Sequence, residues 1–185
     1  MFSKVHTVDT FLSCQTEAWQ EIIVSAIEES DLNGITSVED LKLIKEIDCS
    51  RKEIEDLSPL RMFPYLEILD ISGTQIRDIT PLMYLANLKE FHACFCYPFD
   101  LDILITLPKL HTLDISYPRA RFADLSAIAD LDELKEGYFN ACGIKSVADF
   151  MMLGKLEVLS IPFNPIPSEE VLAYRDLSEE CKVIF

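Results

Sequence analysis

Residues 66–82 read LEILDISGTQIRDITPL, and the positions of their apolar side chains recur along the chain. Each segment of this kind has an apolar residue, a second one three positions later and a third two positions after that. The first position holds Ile44, Leu66, Leu88, Leu110, Leu134 and Leu156, so the spacing is 22 residues with one interval of 24. A fixed period of this length is typical of a repeat protein.

The alternation around Leu69 and Ile71 predicts a short β-strand in each repeat, because every second residue of a strand faces the same side. A turn and an irregular return then carry the chain to the next repeat. One repeat alone cannot bury its apolar residues, so neighbouring repeats must stack into a solenoid with a continuous core. We therefore expect parallel strands whose equivalent residues lie side by side.

These segments resemble the leucine-rich repeats, in the subclass of about 22 residues found in bacterial internalins and in the eukaryotic phosphatase-regulating repeat protein. Residues 66–82 follow that pattern almost throughout, and residues 56–60 (DLSPL) repeat its closing segment. The resemblance covers residues 32–185 and implies an α/β fold, with a curved parallel sheet on the concave face and short helical or irregular returns on the convex face. The ladder position, usually Asn in this family, holds Lys52, Thr74, Cys96, Pro118, Cys142 and Asn164. Lys52 and Pro118 predict irregular turns.

Helical caps are expected at both ends of a single domain, residues 1–185. A helical stripe follows Thr16, a suitable N-cap, and consists of Trp19, Ile22, Ile23, Ala26 and Ile27. A second helix is predicted with Ser168 as its N-cap, and residues 181–185 are predicted as a last strand. We divide the chain into an N-terminal helical cap (1–31), about six repeats (32–166) and a C-terminal cap of helix and strand (167–185).

The chain is strongly acidic, with 32 Asp and Glu against 16 Lys and Arg and a formal charge of −16. Such a surface repels phosphate groups and anionic lipids, so we expect neither a nucleic acid nor a membrane as partner, and expect a basic protein instead. The first residues have neither the apolar stretch nor the cleavage site of an export signal, which favours a cytoplasmic location.

The outward side chains between the two core positions of each strand form the central row: Asp48, Asp70, His92, Asp114, Tyr138 and Ser160. Glu90 and Glu136 flank it. Three residues beyond the row lies the edge column: Arg51, Gly73, Phe95, Tyr117, Ala141 and Phe163. Two interpretations remain open, a solvated polar face or an acidic groove whose aromatic anchors, including Tyr97, suit a basic protein. Aligned like charges destabilise a sheet, which favours the second.

The fourth repeat has two extra residues, in the segment 119–124, and carries the only basic spot in the middle of the chain. This insertion is either a specificity loop or an exposed turn of variable length. The predicted partner-binding residues are Asp48, Asp70, His92, Asp114, Tyr138, Phe95, Tyr117, Glu90, Glu136, Arg119 and Arg121.

We predict no catalytic, metal or cofactor site. His92, Cys94 and Cys96 alternate along one strand, where residues two apart are separated by roughly 6.5 Å, and a zinc site needs four convergent ligands. The same separation excludes a Cys94–His92 nucleophile pair, which needs a hydrogen bond. An open sheet also provides no pocket that would shift the pKa values of its carboxylates.

We therefore favour a non-enzymatic protein–protein interaction module. Its expected role is an intracellular inhibitor or immunity-type protein that binds a basic toxin or enzyme through the acidic concave face. We expect a monomer in isolation and a 1:1 complex with the partner. Two alternatives remain, a regulatory or scaffolding subunit of a larger enzyme and a fragment of a bacterial surface adhesin.

Overall fold

The computed structural model describes residues 7–13, 15–30, 35, 37–178 and 180–185, and in them one strand of each repeat joins a single parallel sheet. Seven strands of three residues follow one another in chain order. They are β1 (Glu46–Asp48), β2 (Ile68–Asp70), β3 (Glu90–His92), β4 (Thr112–Asp114), β5 (Glu136–Tyr138), β6 (Val158–Ser160) and β7 (Lys182–Ile184). Equivalent residues pair in register from β1 to β6, which confirms the repeat architecture predicted from the period.

The returns on the other side of the sheet are short helices. The α-helices of the described residues are α1 (Val8–Leu12), α2 (Glu17–Glu29), α3 (Asp102–Ile105) and α4 (Ser168–Leu177). The 3₁₀ helices are Asp40–Leu43, Ser58–Met62, Thr80–Tyr84, Ser126–Asp130 and Ala148–Phe150. Most returns begin in the same way, with an aspartate that accepts the backbone N–H two residues later, as Asp78 does from Thr80 at 2.8 Å. Hydrogen bonds from the Thr80 hydroxyl and from its backbone N–H lower the pKa of Asp78. In two of the returns a proline, Pro59 or Pro81, lies in the first turn and fixes the backbone angle there.

The N-terminal helix α2 covers the first repeat, as predicted. Thr16 is its N-cap, with a side-chain oxygen that accepts the backbone N–H of Trp19 at 3.4 Å. The ring N–H of Trp19 donates to the carbonyl of Asp56 at 2.9 Å and so joins the helix to the first return. Residues 1–6, 14 and 31 of the predicted N-terminal cap lie outside the described residues, as do 32–34 and 36 of the repeat region.

The C-terminal helix and last strand are present, but the predicted N-cap is wrong. Ser168 is the first residue of α4, and Pro167 precedes it in an extended conformation (φ −57°, ψ 131°). Pro167 therefore occupies the N-cap position, where its carbonyl accepts the N–H of Glu170 at 3.0 Å, and the helix has no side-chain cap. Residue 179 is not described, and the division into two caps and a repeat region stays a prediction.

The core lies between the sheet and the returns and consists of the repeated apolar positions, almost all of them fully buried. Strand β5 departs from this pattern because Gly137 stands where the other strands of the repeats have Ile, Leu or Phe. The ring of Phe139 occupies the vacated volume, since a Cβ atom on Gly137 would lie 2.5 Å from Cε2 of Phe139. That ring also stacks on Phe150, with centroids 5.3 Å apart.

Residues at the ladder position hold the turns after the strands. The Asn164 side chain accepts the N–H groups of Gly143 and Ile144 at 2.8 and 3.0 Å and donates to the carbonyls of Phe139 and Ile161 at 2.7 and 2.8 Å. The buried thiols of Cys96 and Cys142 donate to backbone carbonyls at 3.2 and 3.3 Å. Burial raises the pKa of Cys142 to about 12. By contrast, the ladder residue Lys52 forms an exposed ion pair with Glu21. At the ladder position of Pro118, which has no N–H, the backbone N–H of the next residue, Arg119, donates to the Cys96 carbonyl.

Candidate protein-binding surface

The strand register places the central row side by side, as the period predicts. Asp48 pairs with Asp70, then His92, Asp114 and Tyr138 follow on successive strands. Asp48 is exposed and the next four are partly exposed. Ser160 ends the row but is buried, with its hydroxyl bonded to the Asn140 side chain at 2.8 Å, so the accessible part stops at Tyr138.

Each of the three aspartates of the central row is bonded to the backbone of its own turn. One carboxylate oxygen of each accepts the backbone N–H two residues later, at 2.7 Å for Asp48, 2.7 Å for Asp70 and 2.9 Å for Asp114. Within the described part of the chain, no Lys or Arg side chain forms an ion pair with any of the three. At Asp48 and Asp70 the second carboxylate oxygen has no donor among the described residues, whereas Asp114 also forms a hydrogen bond with the Cys94 thiol.

The two flanking glutamates interact with the central row itself. A carboxylate oxygen of Glu90 lies 3.8 Å from Nε2 of His92, and Glu136 accepts the hydroxyl proton of Tyr138 at 2.9 Å. Burial, followed by this hydrogen bond, raises the pKa of Tyr138. Thr112 lies between the two glutamates and is buried. Together these side chains line a shallow depression of about 520 Å³.

The edge column has an unusual backbone. All six residues lie in the left-handed region, with φ between 55° and 76°, although only Gly73 is a glycine. For a residue with a side chain this conformation costs roughly 1–2 kcal/mol. Phe95, Tyr117 and Phe163 are nevertheless 55%, 38% and 78% exposed. Phe95 stacks on Tyr117 with centroids 5.4 Å apart and planes at 11°, and Tyr117 contacts Phe163 at 6.3 Å across the small Ala141.

The two arginines of the insertion have different surroundings. The Arg119 guanidinium donates to the carbonyl of Phe95 at 2.6 Å and to that of Gly73 at 3.0 Å, so it braces two turns of the edge column. It also lies 5.4 Å from the ring of Tyr97, over which Arg77 stacks at 3.7 Å. Arg121 is exposed. Sequence spacing could not predict the bracing role, because Arg119 and Gly73 are 46 residues apart.

The side chains weighed as metal or nucleophile candidates are not brought together. Cys96 is buried in the core-facing turn, whereas Cys94 is half-buried and His92 is on the sheet surface. Burial is the main cause that raises the pKa of the Cys94 thiol. Among the described residues we find no group of three or more His, Cys, Asp or Glu side chains placed to hold a metal ion. No helix in the same ranges has the length and apolar character to cross a membrane.

Comparison with known proteins agrees with this geometry. An internalin from Listeria monocytogenes superposes with a TM-score of 0.73 at 18% identity, over 90% of this chain and 48% of that one. A leucine-rich-repeat protein from Leptospira interrogans gives a TM-score of 0.65 at 20% identity, over 80% of this chain and 38% of that one. The chain has the leucine-rich-repeat fold.

The sequence matches are shorter. The chain is 41% identical over 56 positions to human leucine-rich repeat-containing protein 56, and the match covers 30% of this chain and 10% of that protein. No protein-family model matches the chain. The chain thus spans less than half of the internalin and of the Leptospira protein, and a tenth of the human relative. Likeness to solved structures at this level of identity shows the fold and leaves the role to be proposed.

Proposed function

We propose that this leucine-rich-repeat protein is a non-enzymatic inhibitor of the immunity type, which acts in the cytoplasm and binds a basic toxin or enzyme in a 1:1 complex. One observation carries the proposal. The carboxylates of Asp48, Asp70 and Asp114 form an accessible row without basic partners among the described residues, and exposed aromatic rings lie beside them. Charge next to aromatic surface is the composition of interface hot spots.

The dimensions of the surface suit a protein partner. Five strands spaced about 4.8 Å apart give a row roughly 19 Å long. The edge column adds width on one side and the glutamate-lined depression adds it on the other. A partner that buries a standard interface of roughly 800 Å² would cover this surface together with the positions around it. The depression is open, so it suits a protruding side chain of a partner better than an enclosed small substrate.

The negative charge gives the inhibitor a kinetic advantage. A formal charge of −16 attracts a cationic protein over several ångströms and raises the association rate when salt is low. Once docked, the carboxylates that face arginine or lysine side chains fix the register of the complex, while the aromatic rings supply apolar contact. A basic active site would be blocked by this arrangement without any chemistry in the inhibitor.

The test is to identify the protein that co-purifies with the chain by mass spectrometry and to measure its activity with one equivalent of the chain added. We expect the activity to be lost and the association rate to fall steeply with added salt. An association rate that does not respond to salt would contradict the electrostatic mechanism. A partner that stays fully active in the complex would contradict inhibition and would favour a scaffolding role.

A further inference from the structure

The edge column has a hollow where one of its side chains is missing. Gly73 stands between Arg51 and Phe95 in that column, and a space of about 230 Å³ opens above it. A Cβ atom on Gly73 would lie 3.4 Å from Cγ of Arg51, so any larger residue would narrow the space. The walls are Arg51 and Phe95, and the remaining lining comes from Ser50, Asp70, Ser72 and Cys94.

The second small residue of the edge column leaves no such space. Ala141 separates Tyr117 from Phe163, and these two rings contact each other across it at 6.3 Å. At Gly73 the neighbour on one side is an arginine, so no second ring reaches Phe95 across the gap. The hollow at Gly73 is therefore a property of this one position and not of the column as a whole.

The aromatic wall of the hollow is held in place before any partner arrives. One face of the Phe95 ring is covered by Tyr117, in a nearly parallel stack at 5.4 Å. The opposite face is directed along the column towards Gly73 and lines the hollow. The Arg119 guanidinium fixes the backbone on both sides through the carbonyls of Phe95 and Gly73. A fixed ring loses little conformational freedom when a ligand stacks on it.

The lining also contains a carboxylate with spare hydrogen-bonding capacity. Asp70 uses one oxygen to accept the N–H of Ser72 at 2.7 Å, and no described side chain donates to the other. A ring face next to a carboxylate matches a planar guanidinium, which stacks on the ring and donates N–H groups in its own plane. A lysine ammonium is a point charge that cannot do both with the same geometry.

We propose that the hollow at Gly73 receives an arginine side chain of the basic partner, with the guanidinium stacked on Phe95 and bonded to Asp70. The inference rests on the proposed function, because it names the residue type that the acidic surface selects. Arg51 is one wall of the hollow and Asp70 is the carboxylate in its lining, with Asp48 beside Asp70 on the neighbouring strand, so two carboxylates face the guanidinium and Arg51. The Arg119 guanidinium is already occupied by two carbonyls.

The test compares two peptides of equal charge, blocked hexa-arginine and blocked hexa-lysine, by titration calorimetry. We expect the unaltered chain to bind the arginine peptide about three- to five-fold more tightly. Phe95→Leu should abolish this preference, since it keeps an apolar side chain but removes the ring. Phe163→Leu is the matched control, because Phe163 is an exposed ring in the same column with the same left-handed backbone. It should leave the preference unchanged.

A second variant narrows the hollow without changing Phe95. Gly73→Ala should also abolish the preference, and Ala141 shows that the left-handed backbone of this column accepts alanine. Equal affinity of the unaltered chain for both peptides would overturn the arginine site while leaving the acidic surface intact. Loss of the preference in Phe163→Leu would overturn it too. If neither peptide binds at low salt, the proposed function itself fails.

Discussion

The two ends of the β-strands satisfy their charges in different ways. Just before the strands lies the charge column, which consists of Lys45, Glu67, Lys89, His111, Lys135 and Glu157. Glu67 pairs with Lys45 at 2.7 Å and also with Lys89, and Lys135 pairs with Glu157 at 2.9 Å. These five charges, three positive and two negative, largely offset one another across neighbouring repeats, so this end of the sheet carries little net charge.

The other end of the strands keeps unpaired carboxylates and a strained backbone. The edge column follows the acidic central row, and its residues with side chains adopt a conformation that glycine alone adopts freely. Ladder hydrogen bonds from the partly buried Asn164 and from the buried cysteine thiols hold these turns. Stability at this end therefore comes from polar groups beneath the surface, which leaves the surface itself free to contact a partner.

The largest expected effect comes from removing the ladder hydrogen bonds. Asn164→Ala should lower the free energy of unfolding by about 3 kcal/mol, because it leaves two N–H and two carbonyl groups of buried turns without this partner. Urea denaturation measures the change. The control at the same ladder position is Lys52→Ala, which removes an exposed ion pair with Glu21 and should cost at most about 1 kcal/mol. Equal losses in both variants would erase the contrast between buried and exposed support.

Charge reversal on the central row should have the next largest effect. Asp70→Lys combined with Asp114→Lys should weaken binding of the hexa-arginine peptide by about tenfold at low salt, since two attractive groups become repulsive. The matched control is Asp130→Lys with Asp132→Lys, which makes the same change in net charge at exposed positions outside the sheet. It should retain most of the affinity. If both double variants bind alike, net charge and not the central row controls binding.

Backbone strain in the edge column predicts a stabilising substitution. Ala141→Gly should raise the free energy of unfolding by about 1 kcal/mol, because the φ of 58° is unfavourable for alanine and free for glycine. Ala148→Gly, in a 3₁₀ helix, should lower it by about 0.5–1 kcal/mol. Thermal unfolding of the two variants therefore shifts in opposite directions. A lower melting temperature for Ala141→Gly would show that the column is not strained.

The smallest effect concerns the charge column and depends on pH. Hydrogen bonds from Lys45 and Lys89 lower the pKa of Glu67 from 4.5 to about 2. A carboxylate with a lowered pKa stabilises the fold above its ordinary pKa, and this contribution is lost as the pH falls towards the lowered one. Glu67→Gln should therefore reduce the melting temperature slightly at neutral pH and not at all near the lowered pKa.

A matched control for that pH profile is Glu46→Gln, since the Glu46 carboxylate forms no ion pair among the described residues. We expect its melting temperature to follow that of the unaltered chain across the same pH range. If the melting temperatures of Glu67→Gln and of the unaltered chain fall in parallel as the pH is lowered, the charge column contributes nothing measurable to stability.

The fold was predictable because one period fixes several levels of structure together. The spacing from Leu66 to Leu88 sets the strand, the register and the neighbour of each outward residue, so the central row followed from counting. The helical stripe of α2 and its cap at Thr16 were equally readable from the apolar pattern. These features depend on local spacing, which the sequence displays directly.

Features that depend on side chains reaching across repeats were not predictable. The period gives no sign that Arg119 braces the turns at Gly73 and Phe95, or that Asn140 covers Ser160. The left-handed backbone of the edge column was not predicted either, because glycine usually signals that conformation and five of the six positions, such as Phe95, hold another residue. The arginine-binding hollow depends on these long-range contacts, so it required the three-dimensional arrangement.

The exchange of volume between Gly137 and Phe139 has a consequence for how this chain can change. Restoring leucine at position 137 alone would drive its side chain into the Phe139 ring, and shortening Phe139 alone would leave a void against Phe150. Only the two replacements together return the fifth repeat to the regular pattern. The effects of the two substitutions are therefore non-additive: we expect each one alone to destabilise the fold and the two together to be tolerated.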